Sequence, residues 1–144
     1  MRLSDRIAMA AESLLNPGET LEVATMCTFG NVSVVRKELA TALLMAVATG
    51  GLLTVYTTPK MIHLVLTSRR LLVLDQDWAG NPRSAVTLEL PRGDVRATPV
   101  KVGVFWLAYA LTDKDGTAFA RMSFALPNRS AGRHLAIALG APVA

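Results

Sequence analysis

Apolar and polar positions alternate along much of this chain, and the places where alternation fails set its organisation. Leu21–Phe29 puts Leu21, Val23, Thr25 and Cys27 on one side and Glu22, Ala24, Met26 and Thr28 on the other, the period of a half-buried strand. Met61–Asp75 is different. Two β-branched-rich apolar runs flank the polar break Thr67-Ser68-Arg69-Arg70, each too short for a helix, so the stretch predicts a β-hairpin. A loop over Asp77–Ser84, containing Gly80-Asn81-Pro82, separates it from a fourth strand at Val86–Leu90. Pro91-Arg92-Gly93-Asp94 then turns into a short extended piece, Val95–Val100. Val104–Thr112 and Thr117–Leu126 surround Asp113-Lys114-Asp115-Gly116, and Asp-Gly between two strand runs signals a second hairpin. The phase of that last strand is only partly legible, because Phe119 and Phe124 fall on opposite sides.

Helical spacing appears at both ends. Ile7, Ala11, Leu14 and Leu15 form an apolar stripe over Ser4–Leu15, with Ser4 as the expected cap and Pro17-Gly18 as the stop. Asn128 or Ser130 is positioned to cap a final helix within 127–140, its core side made by Leu135, Ala138 and Leu139.

The segment 35–56 breaks the pattern. Arg36-Lys37-Glu38 leads into Leu39–Tyr56, eighteen residues without a charge. As a helix that run is about 27 Å long, against a bilayer core of about 30 Å. Ala42, Ala46 and Gly50 lay small side chains along one face, and Gly50-Gly51 predicts a break, giving a helix over Val35–Thr49 and an extended Leu52–Thr57. Basic residues on both flanks, Arg36 and Lys37 before and Lys60 after, give no preferred orientation.

The order of these elements resembles the bacterial pleckstrin-homology-like (PH-like) domain family. Pro17-Gly18-Glu19 looks like its opening turn, Leu66-Thr67-Ser68-Arg69-Arg70-Leu71-Leu72-Val73 like its second hairpin, and Leu88-Glu89-Leu90-Pro91-Arg92-Gly93-Asp94-Val95 like its acidic turn into the next strand. Asp113–Gly116 followed by an aromatic strand and a helix completes the likeness, which covers about residues 17–140. It implies a mainly β fold with α, a bent antiparallel barrel capped by its C-terminal helix. To this the chain adds an N-terminal helix and an apolar helical insertion between the first two strands, all in a single domain. If those two strands share a sheet, one crossing of a membrane by 35–56 is excluded, and eighteen residues are too few for two passes. A cover helix, an oligomer contact and a shallow leaflet insertion remain; a true span requires giving up the shared sheet.

Composition narrows the chemistry. The chain has 144 residues, enough for one core, with 51% hydrophobic residues and a net charge of +4, which permits anionic partners without requiring them. The single cysteine, Cys27, excludes an internal disulfide and any cysteine-cluster metal site. His63 and His134 lie in different elements without an evident partner; His63 is expected on a polar strand face and His134 on a helix surface. The carboxylates at Asp75/Asp77 and Asp113/Asp115 have a local explanation as turn residues. No phosphate-loop motif is present: Gly50-Gly51 lacks the following Lys-Ser/Thr. The expectation is therefore no enzyme, no cofactor and no metal.

Two functions from different classes follow. One is an adaptor that meets a membrane surface, or itself, through Leu39, Leu43, Leu44, Val47, Leu52 and Leu53, with Arg36, Lys37, Lys60, Arg69 and Arg70 as the anion or head-group set. The other is an assembly module whose apolar helix is a homo-oligomer or partner interface with no lipid role. Nucleic acid fits less well, since the basic residues are scattered and aromatics are few. The N-terminus lacks the apolar core of a secretory signal, so a cytoplasmic place, peripheral to the inner membrane face, is expected.

Overall fold

The alternating segments form one antiparallel sheet of eight strands. The computed structural model describes residues 2–31 and 60–142. Its elements are α1 (Leu3–Glu12), β1 (Leu21–Asn31), β2 (Lys60–Thr67), β3 (Arg70–Gln76), β4 (Pro82–Pro91), a 3-10 turn (Arg92–Asp94), β5 (Arg96–Ala97), β6 (Lys101–Val102), β7 (Trp106–Thr112), β8 (Ala118–Ala125), a second 3-10 turn (Leu126–Asn128) and α2 (Arg129–Ala138). The sheet runs β4-β3-β2-β1-β8-β7-β5, with β6 added on β7. Both predicted hairpins are present: β2 and β3 meet with Leu66 opposite Leu71, and β7 and β8 with Leu111 opposite Ala120.

β1 is the corner of the sheet. Its residues from Leu21 to Phe29 pair with β2, while Thr28–Asn31 pair with β8, so one long strand hands the sheet from one half to the other. One face carries Val23, Cys27, Phe29, Ile62, Leu64, Leu66, Leu71 and Val73, closed by Leu135 and Ala136 of α2 and by Leu139 just after it. On the opposite face, Ile7 and Ala11 of α1 cover Val65, Leu72 and Leu74. Leu71–Leu74 is a continuous apolar run because β3 is buried on both faces, Leu71 and Val73 in the main core and Leu72 and Leu74 in the cluster under α1, which removes the usual reason for alternation.

Several expectations need correction. The sheet is open rather than a closed barrel: β4 and β5 end the strand order and do not pair. β5 is two residues long, too short to bridge the gap, and Val95–Val100 breaks into β5 and an approach to β6 instead of forming one strand. The N-terminal helix stops at Glu12, and Arg2 rather than Ser4 is its N-cap. α2 ends at Ala138, with no side-chain cap from Asn128. β8 directs Ala120, Met122 and Phe124 inward, and Phe119 is buried as well. His63 does not face polar surroundings; it is 1% exposed. One ring nitrogen lies 2.8 Å from the carbonyl of Gly80, and Nδ1 has no hydrogen-bond partner among the described residues. The predicted helix and extended piece of segment 35–56 lie outside the described residues.

Candidate functional site

The Thr67-Ser68-Arg69-Arg70 turn sends its two arginines to different fates, and the strand period is the cause. Arg70 begins β3 and lies 17% exposed against Glu19, whose side chain is fully buried. Its Nε and Nη2 donate to the two Glu19 oxygens at 2.9 and 2.6 Å, Nη2 also reaches the carbonyl of Leu14, and Nη1 donates to Glu89 at 2.9 Å. Thr67 completes the knot. Its hydroxyl donates to Glu19 at 2.5 Å and accepts the backbone N–H groups of Arg69 and Arg70. The hydrogen bonds from Arg70 outweigh the cost of burial and hold the Glu19 carboxyl at about 2, well below its ordinary value. Two carboxylates and a carbonyl thus hold the Arg70 guanidinium inside the protein, and its geometry explains structure rather than ligand binding. Glu19, which reads in the sequence as part of a turn, is the missed partner; Pro17-Gly18-Glu19 and Thr67–Arg70 become one unit only after folding.

Arg69 points the other way and is exposed. It lines a groove of about 400 Å³ with Ser68, Arg92, Gly93, Val95, Arg96, Ala138, Leu139 and Gly140. Arg92 is anchored there: it pairs with Glu22 and donates to the carbonyls of Thr67 and Ala138. Arg96 donates to the carbonyls of Gly93 and Val95. In the sequence Arg92 belongs to the Pro91–Asp94 turn and Arg96 to the extended piece after it, and nothing local reveals that the 3-10 turn joins Arg69; the Arg92 N–H bond to the Arg69 carbonyl makes that join.

Lys60 and Arg69 stand at opposite ends of β2, so the anticipated head-group set divides. Lys60 opens β2, at the end that follows the apolar segment in the chain; Arg36, Lys37, Leu39, Leu43, Leu44, Val47, Leu52 and Leu53 lie outside the described residues. At that end Phe29 is paired with Lys60 and Thr28 with Met61. The neighbouring β3–β4 turn is tied to β2 by the Gln76 amide on the Met61 carbonyl and by the His63–Gly80 contact. Asp77 holds this turn through the N–H groups of Ala79 and Asn81, and Trp78 projects from it 98% exposed. A second exposed apolar stretch is the β6–β7 tip, where Val104, Phe105 and Trp106 follow one another at the surface.

Cys27 is buried and burial pushes its thiol upward, away from thiolate reactivity. Among the described residues no group of His, Cys, Asp and Glu converges on a metal position, and no helix is long and apolar enough to cross a membrane. No protein-family model matches the chain, and a search of curated proteins finds no relative.

Proposed function

We propose that the chain is a non-enzymatic PH-like adaptor that associates with an anionic membrane surface through segment 36–56. The observation that carries this reading is the pairing of Phe29 with Lys60 and of Thr28 with Met61. Because β1 and β2 are neighbours in one sheet, the chain between them, which holds the uncharged stretch Leu39–Tyr56, would have to begin and end on the same side of a membrane: it could enter one leaflet and return, and a single crossing would part the two strands. Arg36, Lys37 and Lys60 would meet head groups, and the exposed Trp78 on the adjoining turn suits the interfacial region, where tryptophan rings concentrate. The antiparallel strand order and the C-terminal helix packed on the main core support the PH-like likeness.

The two tryptophans of the chain report which end docks, since Trp78 stands on the turn tied to the start of β2 and Trp106 at the β6–β7 tip. Vesicles containing phosphatidylserine are expected to shift the emission of the Trp106→Phe variant to the blue and to leave Trp78→Phe nearly unchanged. A shift confined to Trp78→Phe would move the docking face to the tip. Val47→Asp is expected to abolish sedimentation with these vesicles, and Arg36→Glu with Lys37→Glu to weaken it. The assembly reading predicts instead a discrete oligomer that ignores lipid and is broken by Val47→Asp alone.

A further inference from the structure

The Arg69–Arg92–Arg96 groove lies at the far end of β2 from the segment proposed to meet lipid, and it has a charge problem of its own. Three guanidinium groups line one concavity. Of the carboxylates nearby, Glu19 and Glu89 are held by Arg70, Asp94 pairs with Lys114 at 2.9 Å, and only Glu22 reaches into the set, through Arg92. Among the described residues, Arg69 and Arg96 have no carboxylate partner. The α2 carbonyl end, whose Ala138 oxygen accepts from Arg92, offsets part of this excess without supplying a full charge.

The groove is also partly preorganised. Arg92 is fixed by a carboxylate and two backbone carbonyls, and Arg96 by two further carbonyls. Carbonyl contacts position a guanidinium while leaving its charge intact. Glycines 93 and 140 keep the rim low: a side chain at Gly93 would enter open space, and Gly140 adopts a positive φ of 87° beside the stem of Arg96. A volume of about 400 Å³ matches a small ligand rather than a polymer. No aromatic residue is present in the lining to stack a base, while several guanidinium forks suit the oxygens of a phosphoryl group.

We propose that this groove is a binding site for a small soluble phosphate ester or polyphosphate, whose phosphoryl oxygens are gripped by Arg69 and Arg96 over a floor set by Arg92. This site does not depend on the membrane reading and faces the other end of β2.

The test is calorimetric titration of the full chain with inorganic phosphate and pyrophosphate, at physiological ionic strength held by chloride. Saturable one-to-one binding is expected, with pyrophosphate the tighter probe. Arg69→Ala with Arg96→Ala should weaken it by about tenfold or more, since each lost charge-assisted hydrogen bond carries a substantial share of the affinity. Both side chains are exposed and outside the core, so the melting temperature should hold. Arg69→Lys with Arg96→Lys keeps the charge and removes the forks, and should also bind more weakly. Absence of saturable binding, undiminished binding by the alanine pair, or full recovery by the lysine pair would each overturn the site. A further arm sediments the alanine pair with phosphatidylserine vesicles: retained sedimentation with lost pyrophosphate binding supports a soluble ligand. Joint loss would reassign the groove to lipid head groups and overturn the soluble-ligand proposal. Failure of vesicle binding by the parent chain would count against the membrane reading alone.

Discussion

Arg70→Ala is expected to lower the unfolding free energy by about 3–5 kcal/mol, the cost of removing one partner from a buried ion pair. That is a large share of the roughly 5–15 kcal/mol that holds a domain of this kind together. The loss is more than one ion pair. Glu19 would remain as a fully buried carboxylate with Thr67 and the Asn16 N–H as its donors, and the Leu14 carbonyl would lose its Arg70 donor. Arg70→Lys is expected to recover only part, because an ammonium cannot serve Glu19 on two oxygens and Glu89 at the same time. Urea denaturation at neutral pH measures both.

The same pair fixes an acid dependence. The folded-state value for Glu19, about 2, lies below its ordinary 4.5, so its contribution is complete above about pH 4.5 and disappears as pH falls toward 2. Denaturation midpoints should decline through that window in the parent chain and decline less steeply in Arg70→Ala, where the group that lowers Glu19 is gone. Equal slopes in the two proteins would show that other carboxylates carry the acid sensitivity.

How much of this was legible before folding depends on range. The β2–β3 and β7–β8 hairpins rest on local features, a polar break in an apolar run and an Asp-Gly turn, and both are found where those features lie. The turn roles of Asp77 and Asp113 are local too, through N–H groups two and four residues on. His63 misled because a histidine within a strand usually signals a wet face, whereas here the β3–β4 turn and the sheet enclose it. The Arg70–Glu19 pair joins positions 51 residues apart, and no periodicity marks a partner at that distance. The groove is hidden for the same reason: Arg69 sits on the β2–β3 turn, Arg92 on the 3-10 turn and Arg96 in β5, and the C-terminal end of α2 with Leu139 and Gly140 supplies the remaining wall. Arg69 and Arg70 look equivalent as letters. The start of β3 makes Arg70 a structural residue held by buried partners and leaves Arg69 exposed.

Gly132→Ala should reverse the usual outcome of a helix-interior glycine replacement. Alanine ordinarily stabilises a helix by about 1 kcal/mol relative to glycine. In α2, however, the new Cβ would sit 2.5 Å from Cγ of Phe124 and 2.6 Å from Cδ1, within the base of a ring rather than at its flexible end. Phe124 cannot step aside: it is fully buried and stacks on Tyr109 with centroids 5.5 Å apart. The Tyr109 hydroxyl in turn donates to the Gly132 carbonyl at 2.8 Å, which pins the helix to the same rings. Overpacking of this type costs about 1–3 kcal/mol, so a net loss of up to about 2 kcal/mol is expected after the helix gain of about 1 kcal/mol is counted. The double-mutant cycle with Phe124→Leu isolates the clash. Phe124→Leu alone should destabilise by opening space above Gly132, and Gly132→Ala in that background should be neutral or stabilising. A coupling energy near zero would mean that α2 shifts on the sheet to admit the methyl group, and that Gly132 is not what sets the closeness of its approach.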